Sequence, residues 1–223
     1  NSVPLKGGSA TETLYVDEAY NAISAYVNNS GSPVNITNGA DGNININDSA
    51  QNSAAINIGA DPVLTNTTGS VFTPKNVTVV NAGNIDVAGK NSAGLKAVGA
   101  FTAANSDRIV NTGTINVSGA GSSGIISASG AEIINDGNVI VTGTDSLGNR
   151  AYGIRADNAT VSLENNSNLT VKGSNTTGLY ARTGGLINVN GGTIDAPKDA
   201  SASNQVVFWV SGKNSEGKTS TIS

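Results

Sequence analysis

Three residue types are missing from this 223-residue chain: it has no cysteine, no histidine and no methionine. Without cysteine there is no disulfide and no thiolate metal site. Without histidine there is no Ser-His-Asp or Cys-His catalysis, no imidazole ligand and no ordinary neutral-pH proton shuttle. Charge is scarce at 13% of residues, and aromatics make up 4%. The formal net charge is −4 and no basic cluster occurs, which excludes a nucleic-acid partner, whose phosphates demand a basic face. No apolar run approaches the roughly 20 residues of a membrane-spanning helix, so no direct membrane insertion by this chain is expected. Residues 1–15 carry no cationic segment followed by an apolar one, so a secretory signal, if the protein is exported, is removed or lies elsewhere.

What is abundant is glycine, with 28 residues, and asparagine, with 31. They recur in a phrase, N-x-G-x-Φ-x-V-x-G with Φ aliphatic, that starts at Asn81, Asn111 and Asn135. A looser copy begins at Asn165 and a partial one at Asn190. A second marker, small-x-Gly-aliphatic, follows each full copy and the looser one, as "SAGL" (92–95), "SSGI" (122–125), "AYGI" (151–154) and "TTGL" (176–179). Surplus residues fall in "VGAFTAANSDR" (98–108) and "DSLGNR" (145–150), as loops inserted on a constant repeat do.

Within each unit the aliphatic residues alternate, as in Ile85/Val87, Ile115/Val117, Val139/Val141 and Leu169/Val171. Period two is strand periodicity, and the runs are short, rich in Val and Ile, and bounded by Gly, Asn, Asp and Ser. Such strands bury their apolar face only by stacking on their equivalents. The expected fold is therefore all-β, a parallel β-helix (solenoid) with one repeat per coil and a short capping element at the N-terminus. Residues 1–33 are read as that cap, with a strand at 13–16, or a short amphipathic helix N-capped by Asp17 and running through Tyr26 and Val27. Residues 34–75 are read as irregular first coils, with an excursion at 61–74. Residues 76–210 are read as regular coils and 211–223 as a flexible or truncated end.

Asn81, Asn111, Asn135, Asn165 and Asn190 are expected to stack into a turn ladder of hydrogen-bonded amides. Gly83, Gly113, Gly137 and Gly192 are expected at corners with positive φ. The outward column two residues beyond the second glycine reads Lys96, Ile126, Arg155 and Tyr180. With neighbouring rungs about 4.8 Å apart, Arg155 is placed to stack on Tyr180, and the column is the candidate binding stripe. Asp86 and Asp195 share a column but stand far apart, and Asp136 and Asp157 are read as turn carboxylates. No metal site, cofactor or catalytic constellation is expected, and the chain is read as not an enzyme. "VVFWV" (206–210) holds the only Trp and reads as a terminal strand that is either core or contact surface.

These phrases, with "TGLYARTGGLINVNGGTIDA" (177–196), resemble the passenger regions of bacterial autotransporters of the type V secretion route. The resemblance covers residues 76–196 well and 34–75 loosely. It implies an adhesin-like, right-handed parallel β-helix displayed on, or shed from, a Gram-negative outer membrane, and a C-terminal membrane barrel that this chain lacks, hence a passenger fragment. The expected function is adhesion, by binding a host-cell surface protein or glycan or by self-association between rods. A structural stalk and a glycan-binding or glycan-cleaving β-helix are the alternatives.

Overall fold

The computed structural model of the chain describes residues 13–16, 21–27, 33–60, 75–143, 149–197 and 202–223. Over these residues the chain is all β, apart from one 3-10 turn at Ala103–Asn105. Its strands form three parallel sheets of seven strands each, and each coil gives one strand to every sheet. The result is a right-handed parallel β-helix. One coil illustrates the unit: Asn84–Val87 lies in the first sheet, Ala93–Val98 in the second and Arg108–Asn111 in the third.

Alternation along each strand becomes columns along the axis. In the first sheet Leu14, Ile44, Ile85, Ile115, Val139, Leu169 and Ile194 lie in register. In the second, Ile23, Ile56, Leu95, Ile125, Ile154, Leu179 and Phe208 do so. The interior members of both columns are buried and form a continuous aliphatic core. No single strand could bury such a face, so the repeat is stable only as a stack.

The corners explain the two sequence markers. Asn38, Asn81, Asn111 and Asn135 are buried, and each amide nitrogen donates to the next side-chain carbonyl at 2.7–2.8 Å. The last donates to the Ser167 hydroxyl. Each amide also reaches the backbone carbonyl of a corner glycine, as Asn135 does to Gly137 at 3.1 Å. The expected members Asn165 and Asn190 stand outside this ladder. Leu163 is the register partner of Asn135 while Asn168 still pairs with Asn138, so four corner residues replace two and Asn165 is displaced. Asn190 follows Val189, the partner of Leu163, and donates instead to the Glu164 carboxylate at 2.9 Å.

The expectation of positive φ fits only Gly192, at 83°, among the four corner glycines named. Gly83, Gly113 and Gly137 are glycine because successive corners touch: a Cβ on Gly113 would sit 2.1 Å from the Gly83 carbonyl oxygen. The second marker has the same cause. A Cβ on Gly94, Gly124 or Gly153 would stand 2.7 Å from the carbonyl oxygen of the next glycine in its column.

Three boundaries differ from the sequence reading. Thr13–Val16 is a strand, but the proposed helix toward Tyr26 and Val27 is not formed: Ile23–Val27 is a strand paired with Ala54–Ala60, and residues 17–20 lie outside the described set. Placing Ile23 and Ala25 over Ile56 and Ile58 extends the core, which a helix would not do. Residues 34–60 form regular strands rather than irregular coils, while the excursion 61–74 lies outside the described residues. The last stretch is built, not flexible: Thr221–Ile222 pairs with Leu186 and Ile187, and Asn214 caps the turn before it by accepting from the Glu216 and Lys218 N–H groups.

Candidate functional site

Because every sheet has one face outward, the three outer faces can be compared as surfaces. On the first sheet the outward positions include Asn84, Asp86, Asn116, Asn138, Asn168, Thr170 and Asp195, joined by side-chain bonds such as Asn116 to Asp86 at 2.7 Å. Asp86 and Asp195 do share a column, with three rungs between them. This face is neutral to acidic, with Ile140 as an apolar member of the Asp86–Asn116 column, and several of its polar groups bond to one another.

The third sheet carries a shallow groove of about 320 Å³ beside the inserted loop 98–108. Its carboxylates are engaged in structure. Asp107 accepts the N–H groups of Val77 and Thr102, Glu132 accepts that of Ala103, and Glu164 accepts the Asn190 amide. Fully buried Phe101 pins the same loop to the core. Asp107 and Glu132 thus hold the insertion down, and Glu164 ties down Asn190 of a later coil. Asp136 and Asp157 are not brought together either: Asp136 binds Asn166, while Asp157 binds arginines.

The second sheet differs in kind. Lys96, Ile126, Arg155 and Tyr180 fall in one register column, which continues into Trp209. The expected stacking of Arg155 on Tyr180 is replaced by other partners. Arg155 makes a two-point bond to Asp157, at 2.6 and 3.2 Å, and Arg182 closes on the same carboxylate at 2.9 Å. Tyr180 is sandwiched between Tyr152 and Trp209, with ring centroids 5.5 and 4.8 Å away. Its hydroxyl meets that of Ser211 at 3.1 Å. The cation over an aromatic face is Arg150, 5.4 Å from the Trp209 ring centre and held by the carbonyls of Thr176 and Asn204. An aromatic stack thus runs along the axis, flanked by Arg150, Arg155 and Arg182 with Asp157 as the one carboxylate among them. A bidentate Arg–Asp pair fixes the guanidinium plane, and stacked rings hold their rotamers, so the patch is preorganised.

Burial pushes the Tyr152 phenol above its ordinary pKa of 10.0; neighbouring Tyr180 adds to the rise and the three arginines oppose it. The folded value exceeds the unfolded one, so this group's contribution to stability is complete below about pH 10 and is lost as pH rises beyond it. In an alkaline absorbance titration the Tyr152 phenol is expected to ionise late, and Tyr152→Phe is expected to remove that step. An unchanged titration curve in the variant would contradict the assignment.

Among the described residues no group of three or more His, Cys, Asp or Glu is placed to hold a metal ion, and no helix is long and apolar enough to cross a membrane. No curated protein and no solved structure matches the chain. A family model described as the BigA third pectate lyase-like domain matches residues 5–213. That span takes in every coil of the stack up to the strand bearing Trp209, and the match agrees with the three-sheet parallel architecture. The chain belongs to the BigA third pectate lyase-like domain family, a bacterial surface β-helix domain.

Proposed function

We propose that this domain is adhesive, and that it binds a host-surface protein or glycan through the outer face of its second sheet, as part of a passenger-like region exported to the cell surface. The observation that carries this reading is the segregation of side chains. Cations and aromatics gather on one face, in a chain whose net charge is −4 and whose aromatic content is 4%, while the first sheet's outer face is mostly amide and hydroxyl with Asp86, Ile140 and Asp195 among them. Trp, Tyr and Arg are the residues that dominate binding hot spots, because they offer large rigid contact area together with a polar end. Here they are ordered before any ligand arrives, so little side-chain entropy remains to be lost. The acids of the third-sheet groove, each committed to a structural hydrogen bond, supply no comparable support for a cleavage reaction.

The test is to coat inert beads with residues 1–223 and to score attachment to cultured host cells and to extracellular matrix. Wild-type beads are expected to attach. The triple variant Lys96→Glu, Tyr180→Ala, Trp209→Ala is expected to lose about tenfold or more, as removal of a hot-spot cluster does. Failure of wild-type beads to attach, with the β-type circular dichroism of the protein intact, would sink the adhesive reading and leave the rod as a spacer.

A further inference from the structure

The contact between Tyr152 and Tyr180 has a chemistry of its own, apart from any ligand. The two tyrosines belong to adjacent coils of the second sheet, on Ala151–Asp157 and Thr176–Arg182. Their ring centres are 5.5 Å apart and their planes lie within 18° of parallel. They are the one pair of tyrosine rings in contact among the described residues. Both side chains are partly exposed, so an oxidant reaches them from solvent. Tyr180 also adds to the rise of the Tyr152 pKa, which places the hydroxyl ends near one another as well as the rings.

We propose that this pair is an oxidative cross-linking site, at which a one-electron oxidant of the peroxidase and hydrogen peroxide class joins Tyr152 to Tyr180 as dityrosine within one molecule. Each phenol gives up one electron and its hydroxyl proton, leaving a phenoxyl radical whose unpaired electron is shared with the ring carbons beside the oxygen. One such carbon of Tyr152 bonds to one of Tyr180. Each bonded carbon then sheds its hydrogen as a proton while its own oxygen regains one from solvent, which restores both phenols. In all the pair loses two electrons and two protons, and these convert one hydrogen peroxide to two waters. The Tyr180 hydroxyl meets that of Ser211 at 3.1 Å, an oxygen able to accept the proton it sheds. The partner ring is already in contact, at an effective concentration many orders of magnitude above that of a second molecule in dilute solution. Partly exposed side chains shift within nanoseconds, so the rings can slide until the two carbons meet. The bond ties one coil to the next in a chain that has no cysteine for a disulfide. It needs no ligand, so it stands apart from the adhesive reading of the same face.

The test treats the full chain, at low micromolar concentration and neutral pH, with hydrogen peroxide and a haem peroxidase. Dityrosine fluorescence is expected in the monomer band of a denaturing gel. The intact mass of that monomer should fall by two hydrogens, and proteolysis should release two peptides joined through Tyr152 and Tyr180. Tyr152→Phe and Tyr180→Phe each keep a ring in the stack and remove the phenol, so the coils stay packed while the reaction is blocked. Each is expected to lower the monomer's signal about tenfold or more, because the remaining tyrosine has no partner held in contact. Dityrosine confined to dimers and larger species, or none at all, would overturn the proposal. So would monomer dityrosine that survives either substitution, or oxygen added to Trp209 with no bond between the tyrosine rings.

Discussion

Replacing Asn111 by leucine is expected to destabilise the rod by about 2–5 kcal/mol, because it strands two buried polar groups whose lost hydrogen bonds cost about 1–3 kcal/mol each. Asn111 is fully buried between Asn81, whose amide nitrogen donates to it at 2.7 Å, and Asn135, to which it donates at 2.8 Å. Leucine fills a similar volume but neither accepts nor donates. Asn81 loses its acceptor, Asn135 its donor, and the Gly113 carbonyl loses a bond at 3.4 Å. Such ladders are interdependent, since each amide is oriented by the one below it, and the loss should spread over adjacent coils. Urea unfolding followed by circular dichroism measures it. Thr170→Ala, on the outer face of the first sheet, serves as the control, with an expected change within about 0.5 kcal/mol. Equal behaviour of the two variants would show that the ladder contributes nothing specific.

The second large effect is Gly113→Ala, two residues away. The added Cβ would meet the Gly83 carbonyl oxygen at 2.1 Å and the Ala82 carbonyl carbon at 2.7 Å. Both obstacles are backbone of the preceding coil, so no rotamer change relieves the clash and the coils themselves must part at that corner. Overpacking of this kind costs about 1–3 kcal/mol where side chains can yield, and more where they cannot. A loss of about 3 kcal/mol or more is therefore expected. Gly39→Ala provides the contrast. Nothing lies within 4 Å of its Cβ position and its φ is not positive, so alanine there should be neutral, or stabilising by about 0.4–1 kcal/mol through the unfolded state. Thermal melts of the two variants side by side decide the matter: equal melting points would remove the close-approach account of the glycine columns.

The architecture was legible because period-two alternation and the asparagine–glycine phrase are local patterns, and a stack repeats what is local. Ile85 and Ile115 share a column because their strands carry the same phrase. Spacing misled where a corner changed length. Asn165 keeps its offset from Asn168 and so appears to belong to the ladder, yet four residues bridge a corner that two bridge in the coil before, and Ser167 meets Asn135 instead. The candidate stripe was found from residues at fixed offset from the second glycine, and its extension to Trp209 required only one more rung.

Its chemistry was harder to read. The Arg155–Asp157 pair had a signal, since residues two apart on a strand share a face, and a partly buried carboxylate draws the guanidinium more strongly than a tyrosine ring does. Arg150 over Trp209 had none: 59 positions separate them, and only the stacking of coils brings them to 5.4 Å. The aromatic stack of Tyr152, Tyr180 and Trp209 likewise depends on the tertiary register.

The most direct measurement is a comparison of the three faces in one adhesion assay. Beads would carry the wild type, a second-sheet variant (Tyr180→Ala with Trp209→Ala), a first-sheet variant (Asn116→Ala with Thr170→Ala) and a third-sheet variant (Ser162→Ala with Asn188→Ala). Each protein would first be checked for the wild-type melting profile. The account predicts that attachment falls about tenfold for the second-sheet variant alone and stays at the wild-type level for the other two. Attachment that survives loss of the aromatic stack, or that falls equally for another face, would contradict it.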